Sequence, residues 1–68
     1  MYTLKEETKK ELLKYKFVRV SEEVGMNYHN LSDMVKKNKS CDKKTAYCIS
    51  KWLDSEKEII DYFDRKED

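Results

Sequence analysis

Apolar residues recur along the chain at intervals of three and four, the spacing that places side chains on one face of an α-helix. No segment shows the alternation of apolar and polar residues that marks a half-buried strand, so the pattern predicts helices throughout. Five helical segments are expected: Thr3 to about Tyr15, 17–24, 28–37, 43 to about 53, and one after Ser55. The predicted fold is therefore all-α, a compact five-helix bundle formed as a single domain over residues 1–68.

Side chains that can cap a helix support three of these starts. Thr3 and Glu6 have the spacing of a capping box, in which a hydroxyl and a carboxylate accept from free backbone N–H groups, and Ser55 and Glu58 repeat it. Asp42 is placed to cap the fourth helix. The outer helices should then bury one face each, at Leu4, Thr8, Leu12, Tyr15, Ala46, Ile49, Trp52 and Leu53.

The segment 17–37 is the centre of the predicted bundle. Gly25 stands where the chain has to turn, because glycine adopts a positive φ without a Cβ clash. Asn27 is a good cap for the helix that follows. Two short helices hinged at Gly25 result, and the apolar residues that can face a common core are Val20, Val24, Met26, Leu31 and Met34.

This segment resembles the helix-turn-helix of the lambda-repressor and Cro family of DNA-binding domains, in which a small residue, a glycine turn and a fixed apolar spacing recur over about twenty residues. The matching positions are Val20, Ser21, Val24, Gly25, Met26, Leu31 and Met34. The resemblance implies a central helix-turn-helix whose first helix lies across the DNA backbone and whose second helix, 28–37, enters the major groove. The same apolar pattern also fits a helical corner that has no role in DNA binding.

If the resemblance holds, polar residues of the second helix meet the DNA. The candidates for contact with base edges are Asn27, Tyr28, His29 and Ser32, and those for contact with phosphates are Lys36, Lys37 and Lys39. Asp33 conflicts with this role, because phosphates repel a carboxylate. It could accept a hydrogen bond from a cytosine amino group, pair with Lys36 or Lys37 along the helix, or argue against DNA altogether.

The net charge of +1 is low for a DNA-binding protein, but the charge is unevenly distributed. Residues 1–16 and 17–44 each carry +2, whereas residues 45–68 carry −3. The stretch 36–44 is the most basic, with five lysines and one aspartate. The basic part of the chain thus coincides with the helix expected to meet phosphates, and the acidic end should point away from them.

The sequence offers no constellation for catalysis or metal binding. It has one histidine, no glycine-rich phosphate loop and no paired carboxylates, so we expect neither an enzyme nor a bound metal or cofactor. A reducing compartment disfavours a disulfide between Cys41 and Cys48. We expect Cys48 to be a small core residue and Cys41 a free thiol in a loop.

The sequence therefore supports two candidate functions. The first is a small transcriptional regulator of a phage or mobile element that binds double-stranded DNA as a homodimer. The second is an accessory subunit that docks on a larger protein, for example in a replication or defence complex, through surplus apolar residues at Ile60, Tyr62 and Phe63. The lysine-rich, proline-free composition and the lack of an apolar span predict a location in the cytoplasm of a bacterial or phage-infected cell, with no membrane association.

Overall fold

The computed structural model describes residues 1–66 and contains five helices and two short strands within that range. In chain order the elements are β1 (Tyr2–Leu4), α1 (Glu6–Leu12), α2 (Phe17–Val24), α3 (Tyr28–Lys36), α4 (Lys43–Leu53), α5 (Ile59–Tyr62) and β2 (Phe63–Arg65). The strands pair as a two-stranded antiparallel sheet, with Leu4 opposite Phe63. The prediction of an all-α five-helix bundle is therefore wrong, because the two ends of the chain join in a sheet.

Strand β1 also has a partner on its other edge. The backbone N–H of Tyr2 donates to the carbonyl of Cys41 at 2.9 Å, and the N–H of Cys41 donates back to Tyr2 at 2.8 Å. The start of the chain is thus held between β2 and the loop that follows α3. These hydrogen bonds give the backbone groups of Tyr2 and Cys41 partners from a distant part of the chain.

The predicted capping box at Thr3 and Glu6 is wrong for this reason. Thr3 is a buried strand residue, and α1 begins after Lys5 without a side-chain cap. The hydroxyl of Thr8 instead donates to the carbonyl of Tyr62 at 2.8 Å, which ties α1 to the end of the chain. Short strands buried on both sides show no alternation, so periodicity could not reveal this one.

The second predicted capping box is displaced by three residues. Glu58, rather than Ser55, caps α5, and Asp61 completes the box by accepting from the backbone N–H of Glu58 at 2.8 Å. Helix α5 is a single turn, and Phe63 begins β2 instead of continuing the helix. The chain needs this early stop so that Phe63 can pair with β1.

The two central helices, α2 and α3, begin and end at the predicted residues except at the end of α3. Helix α2 covers Phe17–Val24, and Gly25 follows it with a φ of 81°. The N–H groups of Gly25 and Met26 both donate to the carbonyl of Ser21, at 2.8 and 2.9 Å, which closes the end of α2. The chain then turns into α3, which ends one residue earlier than predicted.

Helix α4 also begins where the sequence predicts. The carboxylate of Asp42 accepts from the backbone N–H of Thr45 at 2.9 Å, and this hydrogen bond lowers the pKa of the Asp42 carboxyl. Ala46 and Ile49 of α4 are fully buried, as expected, whereas Trp52 is only half-buried and meets the exposed ring of Tyr15 edge to face at 5.0 Å. The prediction that Tyr15 belongs to the core is wrong.

The core lies between α1, α2, α3, α4 and the sheet. Its buried hydrophobic residues are Leu4, Leu12, Val20, Leu31, Met34, Val35, Cys41, Ala46, Ile49 and Phe63. The two cysteines are free thiols, and Cys41 lies in a loop, as predicted, but their burial differs from the prediction: Cys41 is buried against β1 and Cys48 is half-buried. Burial, followed by the nearby Asp42 charge, raises the pKa of the Cys41 thiol to about 11.

Candidate nucleic-acid interface

Helix α3 is attached to the protein by one face only. Leu31, Met34 and Val35 are buried and fix the helix against the core. At its start, the side-chain oxygen of Asn27 accepts from the backbone N–H of His29 at 2.8 Å, so the first turn is capped. The opposite face of α3 consequently points outward and carries polar, aromatic and cationic side chains.

The structure places most of the predicted DNA-contacting residues on this outward surface. Six of the seven are exposed, and one, Ser32, is half-buried; the exposed residues are Asn27, Tyr28, His29, Lys36, Lys37 and Lys39. Asn27 is the member least able to reach a base, because its carboxamide oxygen is engaged in capping α3. Its amino group keeps its two donors.

Tyr28 and His29 form an aromatic edge at the start of α3. The ring of Tyr28 lies 6.4 Å from that of Phe17 and 5.5 Å from that of His29, measured between centroids. Phe17 opens α2, so this contact links the first turns of the two central helices. The phenol and imidazole groups are thereby presented side by side at one end of the helix.

Asp33 pairs with a lysine of its own helix. Its carboxylate lies 3.7 Å from the Nζ of Lys37, one turn further along α3. Of the three interpretations that the sequence left open, the structure favours this ion pair. Both side chains are solvent-accessible, so the pair contributes only about 0.5 kcal/mol and Lys37 can exchange Asp33 for another anion at little cost.

Asn30 belongs to the same surface and was missed from the sequence. It is exposed, and its Oδ1 accepts from the Nζ of Lys39 at 2.9 Å. The contact holds a lysine of the loop against the first turns of α3. Helical spacing could have placed Asn30 on this surface, because it lies three residues from Asn27 and from Asp33 on the unburied side of the helix.

Arg19 of α2 forms an ion pair within its own helix. It is exposed, and its Nε lies 3.1 Å from a carboxylate oxygen of Glu23 one turn later. This is again a solvent-exposed pair within one helix, of small energy. The Arg19 side chain is therefore directed along α2 toward Glu23.

The three residues predicted as a partner interface are not on one surface. Ile60 is 72% exposed, Tyr62 is half-buried, and Phe63 is only 1% exposed within the core. The inclusion of Phe63 in a partner interface is wrong, because its ring packs inside the molecule opposite Leu4 of β1. Ile60 is the one of the three that a partner could contact freely.

Residues 1–66 contain no group of three or more His, Cys, Asp or Glu side chains that could hold a metal ion. Within the same residues, no helix has the length and apolar character needed to cross a membrane. The chain matches no protein-family model, no curated protein and no solved structure at a significant level. Function must therefore be argued from the geometry of α3 and its surroundings.

Proposed function

We propose that this protein binds double-stranded DNA as a small transcriptional regulator of a phage or mobile element, with α3 inserted in the major groove. The observation that supports this proposal best is the division of α3 into two faces. One face is anchored by Leu31, Met34 and Val35, and the other presents donors and cations to solvent. The positive φ of Gly25 lets α2 and α3 meet as the two helices of a helix-turn-helix do.

In this proposal the side chains at the start of α3 read base edges. His29 and Tyr28 each carry groups that donate to or accept from bases, and Ser32 lies one turn further along the helix. Asn30 is added to this set because it is exposed beside His29. These contacts would supply sequence preference, which phosphate contacts do not.

Lysines at the other end of α3 would contact phosphates. Lys36 and Lys37 are exposed at the last turn, and Lys39 is held close by Asn30. When Lys37 meets a phosphate, it gives up its pair with Asp33, and the freed carboxylate can accept from a cytosine amino group. The binding free energy should therefore depend steeply on salt concentration.

A single module with so few phosphate contacts binds weakly at physiological salt. Useful specificity then requires a homodimer on two half-sites about 34 Å apart, or incorporation in a larger complex. A palindromic target is the expectation for the homodimer, because the symmetry of the DNA mirrors that of the protein.

The proposal is tested by fluorescence anisotropy with labelled duplex DNA at low salt. The wild-type protein should bind, and a Lys36→Ala, Lys37→Ala double variant should bind much more weakly while remaining folded. The matched control is Lys10→Ala, Lys57→Ala, which removes the same charge from two exposed lysines outside α3. Equal loss of affinity in both double variants would show a non-specific charge effect, and no binding by the wild type would refute the proposal.

The exposure of Ile60 supports a second candidate function, an accessory subunit that docks on a larger protein. At 72% exposed, Ile60 offers a large apolar side chain to a partner protein. Co-purification with a defined partner that is abolished by Ile60→Asp and retained by the Lys36, Lys37 double variant would favour this function over DNA binding. Phe63 is unsuitable for such a test because its substitution should strongly destabilise the domain.

A further inference from the structure

An open groove of about 400 Å³ lies where the loop after α1 meets α2 and α3. Its apolar lining consists of Leu13, Tyr15, Phe17, Val18 and Tyr28. Leu13 is 60% exposed and Val18 55% exposed, although both are aliphatic. Of the seven large hydrophobic residues that the described chain exposes, four line this groove. Such a concentration on a small domain indicates an interaction site.

The same groove is positively charged. Lys16 and Lys36 also line it, and neither makes an ion pair with another residue in the part of the chain that the structure describes. The segment 13–19 contains Lys14, Lys16 and Arg19 and no acidic residue. We refer to this surface, lined by the five apolar residues and the two free lysines, as the basic groove.

A complementary surface lies near the other end of the chain. Ile60 is the most exposed of the large hydrophobic residues, and it is surrounded in sequence by exposed acidic side chains at Glu56, Glu58 and Asp61. The segment 54–64 contains five acidic residues and one lysine. The hydrogen bond between Asp61 and the Glu58 backbone fixes the turn on which Ile60 stands. We call this surface the acidic knob.

We propose that the acidic knob of one molecule docks in the basic groove of a second copy of the same chain. Ile60 enters the apolar part of the groove, and Glu58 and Asp61 face Lys16 and Lys36. The occupant is a second copy because one chain carries both complementary surfaces: an exposed apolar side chain flanked in sequence by carboxylates, and an exposed apolar groove lined by two amines. Opposite potentials of this kind select the partner and speed the encounter.

The contact joins two different surfaces, so it is heterologous. Each added copy leaves one groove and one knob unused, and the assembly either closes into a ring or continues to grow with concentration. Both surfaces are small, so the association should be weak and sensitive to salt. Tyr28 and Lys36 also belong to the candidate nucleic-acid interface, so a second copy in the groove competes with DNA for part of that surface.

Sedimentation velocity of the protein without DNA tests this proposal, so its failure is separate from a failure of DNA binding. The wild type should sediment as larger species as its concentration rises from micromolar to millimolar, and added salt should reverse the increase. Val18→Asp places a carboxylate in the groove, where it repels the acidic knob, and Ile60→Lys removes the apolar side chain of the knob and reverses its charge. Each variant alone should therefore remain monomeric. An equimolar mixture should form a heterodimer and nothing larger, because one intact knob and one intact groove remain.

Circular dichroism establishes that the variants are folded, and Lys16→Glu, Lys36→Glu replaces Val18→Asp if that variant is not. The matched control is Tyr47→Asp, an exposed residue of α4 outside both surfaces, which should associate like the wild type. A wild type that stays monomeric at millimolar concentration and low salt overturns the proposal. So does a mixture of folded single-surface variants that contains monomers only.

Discussion

Replacing Gly25 by valine isolates the contribution of the turn between α2 and α3. Gly25 has a φ of 81° and a ψ of 36°, in the left-handed region that side chains disfavour. A Cβ placed there would meet no heavy atom within 4 Å, so the substitution creates no clash with the rest of the protein. Its cost is therefore backbone strain alone, roughly 1–2 kcal/mol for an ordinary residue and more for a β-branched one.

For a domain of this size each kcal/mol lost lowers the melting temperature by roughly 4–8 °C. An ordinary side chain at position 25 should therefore lower the melting temperature by about 4–16 °C, and Gly25→Val by at least that much, when unfolding is followed by far-ultraviolet circular dichroism. Gly25→Asn is the control, because asparagine enters the left-handed region at a lower cost. If the valine variant melts with the wild type, the turn is not strained as described. If asparagine is as damaging as valine, contacts rather than φ determine the cost.

Three further predictions concern the core and the thiols. Phe63→Ala should lower the free energy of unfolding in urea by about 3–5 kcal/mol, because it empties the centre of the core. A loss below about 1 kcal/mol would contradict the burial of that ring. Ser50→Ala should stabilise the domain by about 1 kcal/mol in the same assay, because the buried Ser50 hydroxyl has no hydrogen-bond partner among the described residues. A loss of stability would refute this prediction. Iodoacetamide at mildly alkaline pH should label Cys48 before Cys41, as judged by mass spectrometry. The Cys41 thiol is buried, and its pKa of about 11 keeps it protonated. Labelling in the reverse order would contradict this prediction.

The sequence was informative where local chemistry determines local structure. Asp42 and Asn27 cap α4 and α3 as predicted, each with a side-chain oxygen accepting from a nearby backbone N–H. Gly25 adopts the positive φ that its position after Val24 suggested. These features depend on residues within a few positions of one another, so a single sequence is sufficient to identify them.

The sheet depends on residues at opposite ends of the chain. Thr3 lies opposite Asp64 and Leu4 opposite Phe63, and neither three-residue strand is long enough to show a period of two. The capping signal at Thr3 is chemically sound, but pairing with β2 outweighs it. The same pairing moves Phe63 from a predicted helix into the core, and a separate bridge on the other edge of β1 holds the buried Cys41 beside Tyr2.

The sequence predicted which residues of the candidate site are exposed, but it did not predict which side chains contact one another. Helical spacing placed Tyr28, His29 and Lys36 on the outward face of α3, where the structure has them. The pairing of Lys37 with Asp33 and the hydrogen bond from Lys39 to Asn30 depend on the conformations of long side chains. Sequence spacing gave the pairing of Asp33 with Lys37 as one of several alternatives, and it gave no indication of the hydrogen bond between Lys39 and Asn30.

The salt dependence of duplex binding measures directly whether Lys36 and Lys37, which follow the core-facing residues of α3, contact DNA phosphates. Each phosphate contact contributes about 0.9 to the slope of the logarithm of the association constant against the logarithm of the salt concentration. Replacing Lys36 and Lys37 by alanine should therefore reduce the magnitude of that slope by about 1.8. The Lys10→Ala, Lys57→Ala control should keep the wild-type slope. An unchanged slope in the Lys36, Lys37 variant, or no duplex binding by the wild-type protein at low salt, would contradict the claim.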